Sequence, residues 1–328
     1  MSILRRLAVT IASPMKLLDI RSTTIEWFLG LPLTEDDARL VRQSGAGVRL
    51  GAYYHWYLQK LVVARAIRGL DRTKAMALIQ AIDSTDYLDI QQIIDSPSGV
   101  LIPIPHHAHY ILTMTVLAEK LGKHRKVNVF YGQPATHKGN AVFDHLHQVL
   151  FAGEDSGIEV IHDNRQGLAK AIKGLKNGEV VFIMPDATQD EEASMMMPFC
   201  GRLMNTMLGT AILARKTGAW ILPTVSMPHG IGLGFRTRFG SRIDHPAIKD
   251  VDLTAEQTRV ADYGVTYRMF AQFEEWMGGQ LYYWQNVRGH MAQGSAVQLA
   301  KPDMLPSLFD AISKSPLFKA PDLVLDLR

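Results

Sequence analysis

Apolar and polar positions divide the chain into two regimes with different periods. From residue 1 to about 95 the spacing is that of helices. Tyr53 to Ile67 carries Trp56, Leu58, Leu61, Val62 and Ala66 at helical intervals, and a second helix is expected around Arg72 to Ile82. Leu33-Thr34 followed by Glu35, Asp36 and Asp37 has the form of an N-cap with acidic first-turn residues. Ser96-Pro97-Ser98-Gly99 then breaks the pattern. Beyond it, short apolar runs alternate with amphipathic stretches. Strands are expected at Val100–Ile104, Val127–Tyr131, Ile158–Ile161, Glu179–Met184 and Trp220–Val225. Helices are expected at Ala108–Leu121, Asn140–Leu150, Arg165–Leu175 and Met204–Lys216. Gly234–Phe239 alternates strictly, as an antiparallel edge strand does. Leu253–Met277 reads as a long closing helix, and the Pro-rich tail after Gly289 as irregular. The resulting expectation is an α/β fold, a mostly parallel sheet with helices on both faces, preceded by an N-terminal helical region. Three segments follow from it: 1–95 packing on the body, 96–290 as the α/β domain, and 291–328 as a C-terminal extension.

Composition narrows the class. The 328 residues are 47% hydrophobic and 20% charged, enough apolar content for a large core, so a disordered chain is excluded. A single cysteine, Cys200, excludes an internal disulfide framework and any multi-cysteine metal site. The net charge of +3 says less than its distribution. Lys120–Phe143 and Ala193–Ile243 contain no acid but carry Lys123, Arg125, Lys126, Arg202, Arg215, Arg236, Arg238 and Arg242. Such segregation creates local positive fields suited to an anionic partner. Nucleic acid is not the expected one, because no basic run interleaves with aromatics. Gly230–Gly234 precedes a strand rather than a helix and reads as a turn, not a phosphate loop. No run reaches the ~18 apolar residues of a spanning helix, and Met1–Gly30 reads as neither a secretory signal nor an anchor.

In open parallel sheets, ligands bind where strands end at their carboxyl edge. Two such ends carry unusual chemistry. One is Pro105-His106-His107-Ala108-His109-Tyr110, with three of the chain's twelve histidines in four residues. The other is Met184-Pro185-Asp186 leading to Asp190. Imidazole titrates near neutrality and serves as a general base, better when a carboxylate orients it. Asp186 is the candidate for that orientation or for gripping a substrate hydroxyl. His107, His109, Tyr110 and Asp190 are candidate supporting residues.

The order of these segments resembles the bacterial lipid A late acyltransferases of the lysophospholipid acyltransferase superfamily. Gly99–His106 is similar to the family's strand and the histidine of its His-x4-Asp/Glu motif. Gly178–Asp186, Pro198-Phe199-Cys200-Gly201-Arg202, Gly218–Val225 and Tyr283-Trp284-Gln285-Asn286-Val287-Arg288 follow in the family's order. The resemblance implies His106 as the base in transfer of an acyl group from an acyl carrier protein or coenzyme A thioester to a small-molecule or lipid hydroxyl or amine. No bound cofactor is expected. Arg202 is then the candidate for the donor's phosphate, and Met195, Met196, Met197, Met204 and Met207 the candidate lining of an acyl slot. A cytoplasmic location is expected, with peripheral contact to the inner membrane. One position departs: the motif acid falls on Ile111. Two other readings stay open, a non-catalytic relative that binds a carrier or acyl chain, and a metal hydrolase whose ligands are His107 and His109 with His106, the site completed by Asp186.

Overall fold

The computed structural model describes residues 63–67, 69–132, 146–148, 157–186, 194–199, 202–229, 234–246 and 253–285. The expected elements before residue 63, most of Asn140–Leu150, the turn at Gly230–Leu233 and the tail beyond residue 285 lie outside them.

Five strands form a parallel sheet in the order β3-β2-β4-β1-β7. They are β1 (Val100–Pro103), β2 (Val127–Tyr131), β3 (Ile158–His162), β4 (Val180–Ile183) and β7 (Trp220–Ile221). Strands covered on both faces need apolar side chains at successive positions, and Val100, Leu101, Ile102, Val180, Val181 and Phe182 are all fully buried. Alternate residues feed two cores. Leu101, Val181, Phe130 and Ile161 join one cluster, Val100, Ile102, Val180 and Phe182 the other.

On the second face lie α1 (Ala64–Ile67), α2 (Arg72–Gln80), α3 (Gln91–Ile94) and α4 (Tyr110–Gly122). Val63, Ile67, Met76, Ile79 and Ile93 pack there against the sheet, so the part of the N-terminal region that is described shares the core of the body. On the first face lie α5 (Arg165–Lys176), α6 (Gly209–Thr217) and α7 (Ala255–Met277). Local chemistry sets their ends. Asn164 Oδ1 accepts the Gly167 N–H at 2.9 Å to open α5. Thr254 and Gln257 form a reciprocal capping box for α7. Gly218, at φ +75°, closes α6 in the left-handed region that glycine enters without strain.

The helix expected at Met204–Lys216 is shorter than its pattern implied. Its first turn is instead the strand β6 (Arg202–Met207), paired antiparallel with β5 (Ser194–Phe199). The physical reason is a period of two: Met197, Phe199, Met204 and Thr206 are buried, and Met197 sits opposite Met204. The run Trp220–Val225 is likewise two strands. Leu222-Pro223 intervenes, and β8 (Thr224–Pro228) leaves the parallel sheet to pair with β9 (Phe235–Phe239). In β9, Phe235 and Thr237 face inward and Arg236 and Arg238 face solvent, the alternation expected of an antiparallel strand.

Candidate active site

Strand register brings the two candidate groups together. β1 and β4 are parallel neighbours with Pro103 opposite Ile183. The Ile104 N–H continues the ladder to the Ile183 carbonyl at 2.9 Å. Both chains then leave the sheet at the same edge, and three residues on from the paired positions stand His106 and Asp186. Their ring and carboxylate meet there, His106 Nδ1 lying 2.8 Å from Asp186 Oδ1. The other carboxylate oxygen accepts two bonds, from the His106 backbone N–H at 2.9 Å and from the Trp284 indole N–H at 2.6 Å.

Asp186 is sealed, with its side chain 1% exposed, whereas the His106 side chain is 16% exposed. Burial alone raises a carboxyl's pKa, but here it is outweighed by the His106 ring, the indole and the His106 backbone N–H. The net effect holds Asp186 below the ordinary carboxylate range. An ionised carboxylate only accepts, so Nδ1 is the donor in this pair and the neutral ring carries its lone pair on Nε2. Among the described residues, no hydrogen bond occupies Nε2. The Tyr110 ring packs edge-on against the imidazole at a centroid distance of 4.8 Å, fixing its second side.

The turn that presents His106 is tied down from the far end of the domain. The Ala108 N–H donates to the Tyr283 carbonyl at 2.9 Å, and the Gln285 N–H donates to the His106 carbonyl at 2.8 Å. His107 and Trp284 thereby form an isolated antiparallel bridge. Ala108 sits at φ +47°, a left-handed conformation unusual for a residue with a Cβ. Surroundings must over-determine such a residue, and the bond to Tyr283 is part of what does so.

The other candidates separate. His107 is fully buried, its ring strung between the carbonyl oxygens of Ser226 (2.7 Å from Nδ1) and Gln280 (3.1 Å from Nε2). Burial pushes its pKa down. His109 is also fully buried, its ring edge-on to Phe235 at 5.8 Å. Neither can touch a ligand at the His106 face without the core opening, so both are core residues rather than the supporting contacts expected. Their divergence also removes the metal-hydrolase reading's ligand set. Among the described residues, no group of three or more His, Cys, Asp or Glu is placed to hold an ion. The methionine slot fails similarly in part: Met197 and Met204 are buried in the core around Phe199, Phe270 and Trp284. Asp190, Cys200 and the Arg202 side chain lie outside the described residues. Trp284 was legible only as part of a motif, and nothing in its local sequence signals a bond to a carboxylate nearly a hundred residues away.

Ile111, where the resemblance requires an acid, is 1% exposed and packs in the apolar cluster with Ile102, Ile104 and Leu112. The carboxylate therefore comes to His106 from a neighbouring strand instead of from the helix that follows it.

The bacterial lipid A biosynthesis acyltransferase family model matches residues 70–284, well over half of the chain, and the protein belongs to that family. A 93-residue stretch is 33% identical to the lipid A biosynthesis lauroyltransferase of Escherichia coli (strain K12). That stretch covers 28% of this chain and 30% of the relative, so the chain spans under a third of that enzyme's length in the match. Among the described residues, no helix is long and apolar enough to cross a membrane.

Proposed function

We propose that the protein is an acyltransferase that moves an acyl group from a thioester of acyl carrier protein or coenzyme A to a hydroxyl or amine, with His106 as general base and Asp186 orienting it. The observation that supports this most is the pairing at the β1–β4 edge. The proton of the ring is committed to Nδ1 and a buried carboxylate, while no hydrogen bond among the described residues occupies Nε2 of the partly exposed ring. Membership of the acyltransferase family supports the reaction class.

In this reading, Nε2 accepts the proton of the acceptor's O–H or N–H as the heteroatom attacks the thioester carbonyl. The new C–O or C–N bond forms and the carbonyl π pair moves onto oxygen. When the tetrahedral intermediate collapses, the C–S bond breaks. The imidazolium returns its proton from Nε2 to the departing thiolate, so the base is regenerated. Asp186 stabilises the imidazolium during the interval without itself taking the proton. Ionised Asp186 suits that role, since a carboxylate held below its ordinary pKa remains charged at neutral pH. In this reading the protein works where such thioesters are made, in the cytoplasm, and draws a lipid acceptor from the membrane surface.

Lack of the motif acid at Ile111 favours a non-catalytic relative, and one experiment separates the two readings. The purified protein is incubated with acyl carrier protein and coenzyme A thioesters of several chain lengths and a set of alcohols and amines, with thioester loss followed by mass spectrometry. Turnover that disappears in His106→Ala is the expected result. Binding of donor without turnover in the wild-type protein, unchanged in His106→Ala, would instead establish a binding module.

A further inference from the structure

We infer that Trp284 is a positioning residue for His106, acting through Asp186, and that Tyr283-Trp284-Gln285 is the strap that sets both the ring's backbone and its carboxylate. The purpose assigned to this device rests on the acyl-transfer reading. The device itself does not, because it consists of contacts within the chain.

A carboxylate has two equivalent oxygens and can rotate between partners. Asp186 cannot exchange them freely, because Oδ2 is held by two donors fixed in space: the indole N–H at 2.6 Å and the His106 backbone N–H at 2.9 Å. Oδ1 is left for the imidazole at 2.8 Å. The indole is itself immobilised. It is 1% exposed, and Phe199 packs edge-on against it at 5.3 Å, with Phe270 edge-on to Phe199 at 5.4 Å. The main chain on either side of Trp284 is bonded to the His106 turn, through Tyr283 to Ala108 and through Gln285 to His106. One short segment therefore grips the turn by its backbone and the orienting acid by its side chain. An indole N–H can only donate, so it stabilises the ionised carboxylate and has nothing to offer in return as an acceptor. Removing that donor leaves a desolvated carboxylate with one rigid partner fewer, free to twist away from Nδ1.

A merely structural tryptophan needs an acceptor for its buried N–H and is satisfied by any nearby oxygen. That role predicts no effect on where the His106 proton sits, so the proton's position is the decisive readout. The full chain is labelled with [15N]histidine, and the His106 signal is assigned by its loss in His106→Gln. In the wild-type protein the neutral ring is expected to carry its proton on Nδ1. A wild-type ring protonated on Nε2 overturns the proposal outright. Trp284 is then replaced by 3-benzothienylalanine, which keeps the bicyclic shape but substitutes sulfur for the N–H. Trp284→Phe is measured alongside. The ratio of Nδ1–H to Nε2–H tautomer is expected to fall about fivefold or more, the equivalent of one net hydrogen bond. In an Asp186→Ala background the same replacement should change the ratio by less than about twofold, since the carboxylate through which the indole acts is gone. An unchanged ratio in both Trp284 variants, or an equal change with and without Asp186, refutes the inference. No acyl donor or acceptor enters the measurement, so failure here and failure to find turnover are separate results.

Discussion

Replacing Asp186 by asparagine tests orientation rather than packing, because the two side chains have nearly the same shape. The outcome can be worked from the bonds around the carboxylate. Oδ2 receives the Trp284 indole N–H at 2.6 Å and the His106 backbone N–H at 2.9 Å. Both partners are donors only, so the amide oxygen of an asparagine must occupy that position. Its NH2 group then falls where Oδ1 was, 2.8 Å from His106 Nδ1. An amide N–H facing Nδ1 makes that nitrogen the acceptor and drives the ring proton to Nε2. The atom proposed to take the acceptor's proton is thereby capped, and the negative charge that would stabilise the imidazolium is lost as well. Carboxylate-to-amide exchange in a serine-protease triad with this logic costs about 10⁴ in kcat. We expect a fall of about 10³–10⁴ here, or about 4–5.5 kcal/mol in the barrier, with KM within about threefold because no substrate contact is removed. The assay is initial-rate thioester cleavage with whichever donor and acceptor the thioester screen yields, on protein shown to fold by a cooperative thermal transition. An Asp186→Asn protein within about tenfold of wild-type kcat would falsify the assignment of Asp186 as the orienting acid.

Other expectations concern the scaffold. Phe199→Ala removes a ring that packs edge-on against both Phe270 and Trp284 and should lower stability by about 3–5 kcal/mol in denaturant titration; a loss below ~1 kcal/mol would contradict the packing described. Asp262 receives Arg215 through two bonds, at 2.8 and 2.9 Å, and lies 2.9 Å from the fully buried His245. Asp262→Ala strips both partners at once and should cost about 3 kcal/mol, read from the same titration. Asp186 and Asp262 are both held below the ordinary carboxylate value, burial in each case being outweighed by their hydrogen-bonded partners. The folded chain thus binds these protons less readily than the unfolded chain. Their stabilisation is complete above that value and is lost as pH falls through the lower folded values. The melting temperature should therefore drop steeply below about pH 4, less steeply in Asp186→Asn, and identical slopes in the two proteins would count against the pairing.

The parallel sheet was legible because its strands are continuous apolar runs bounded by Gly, Pro and polar residues. β1, β2, β3 and β4 all fall within a residue or two of their expected limits. The β5–β6 hairpin was not, because methionine and leucine favour helices as readily as they fill a pleated face. Only the pairing of Met197 with Met204 reveals the period of two. Leu222-Pro223 marks a bend that an apolar run conceals. At the site, His106 and Asp186 could each be picked out by strand-end position and chemistry. What sequence alone could not give was strand order. Until β4 is known to neighbour β1, Asp186 is one acid among several, and the buried state of His107 and His109 cannot be told from that of His106 by spacing.

Drawing its acid from β4 has a cost in robustness that a helical His-x4-Asp pair does not share. Two groups five residues apart in one short segment stay within reach of each other even in a loosened molecule. His106 and Asp186 are separated by 80 positions and meet only when β1 and β4 are laddered together. Chemistry at this edge should thus vanish with the first disturbance of the central sheet. Partial unfolding that spares α4 would abolish activity, and loss of turnover in rising denaturant should coincide with the cooperative transition instead of trailing it.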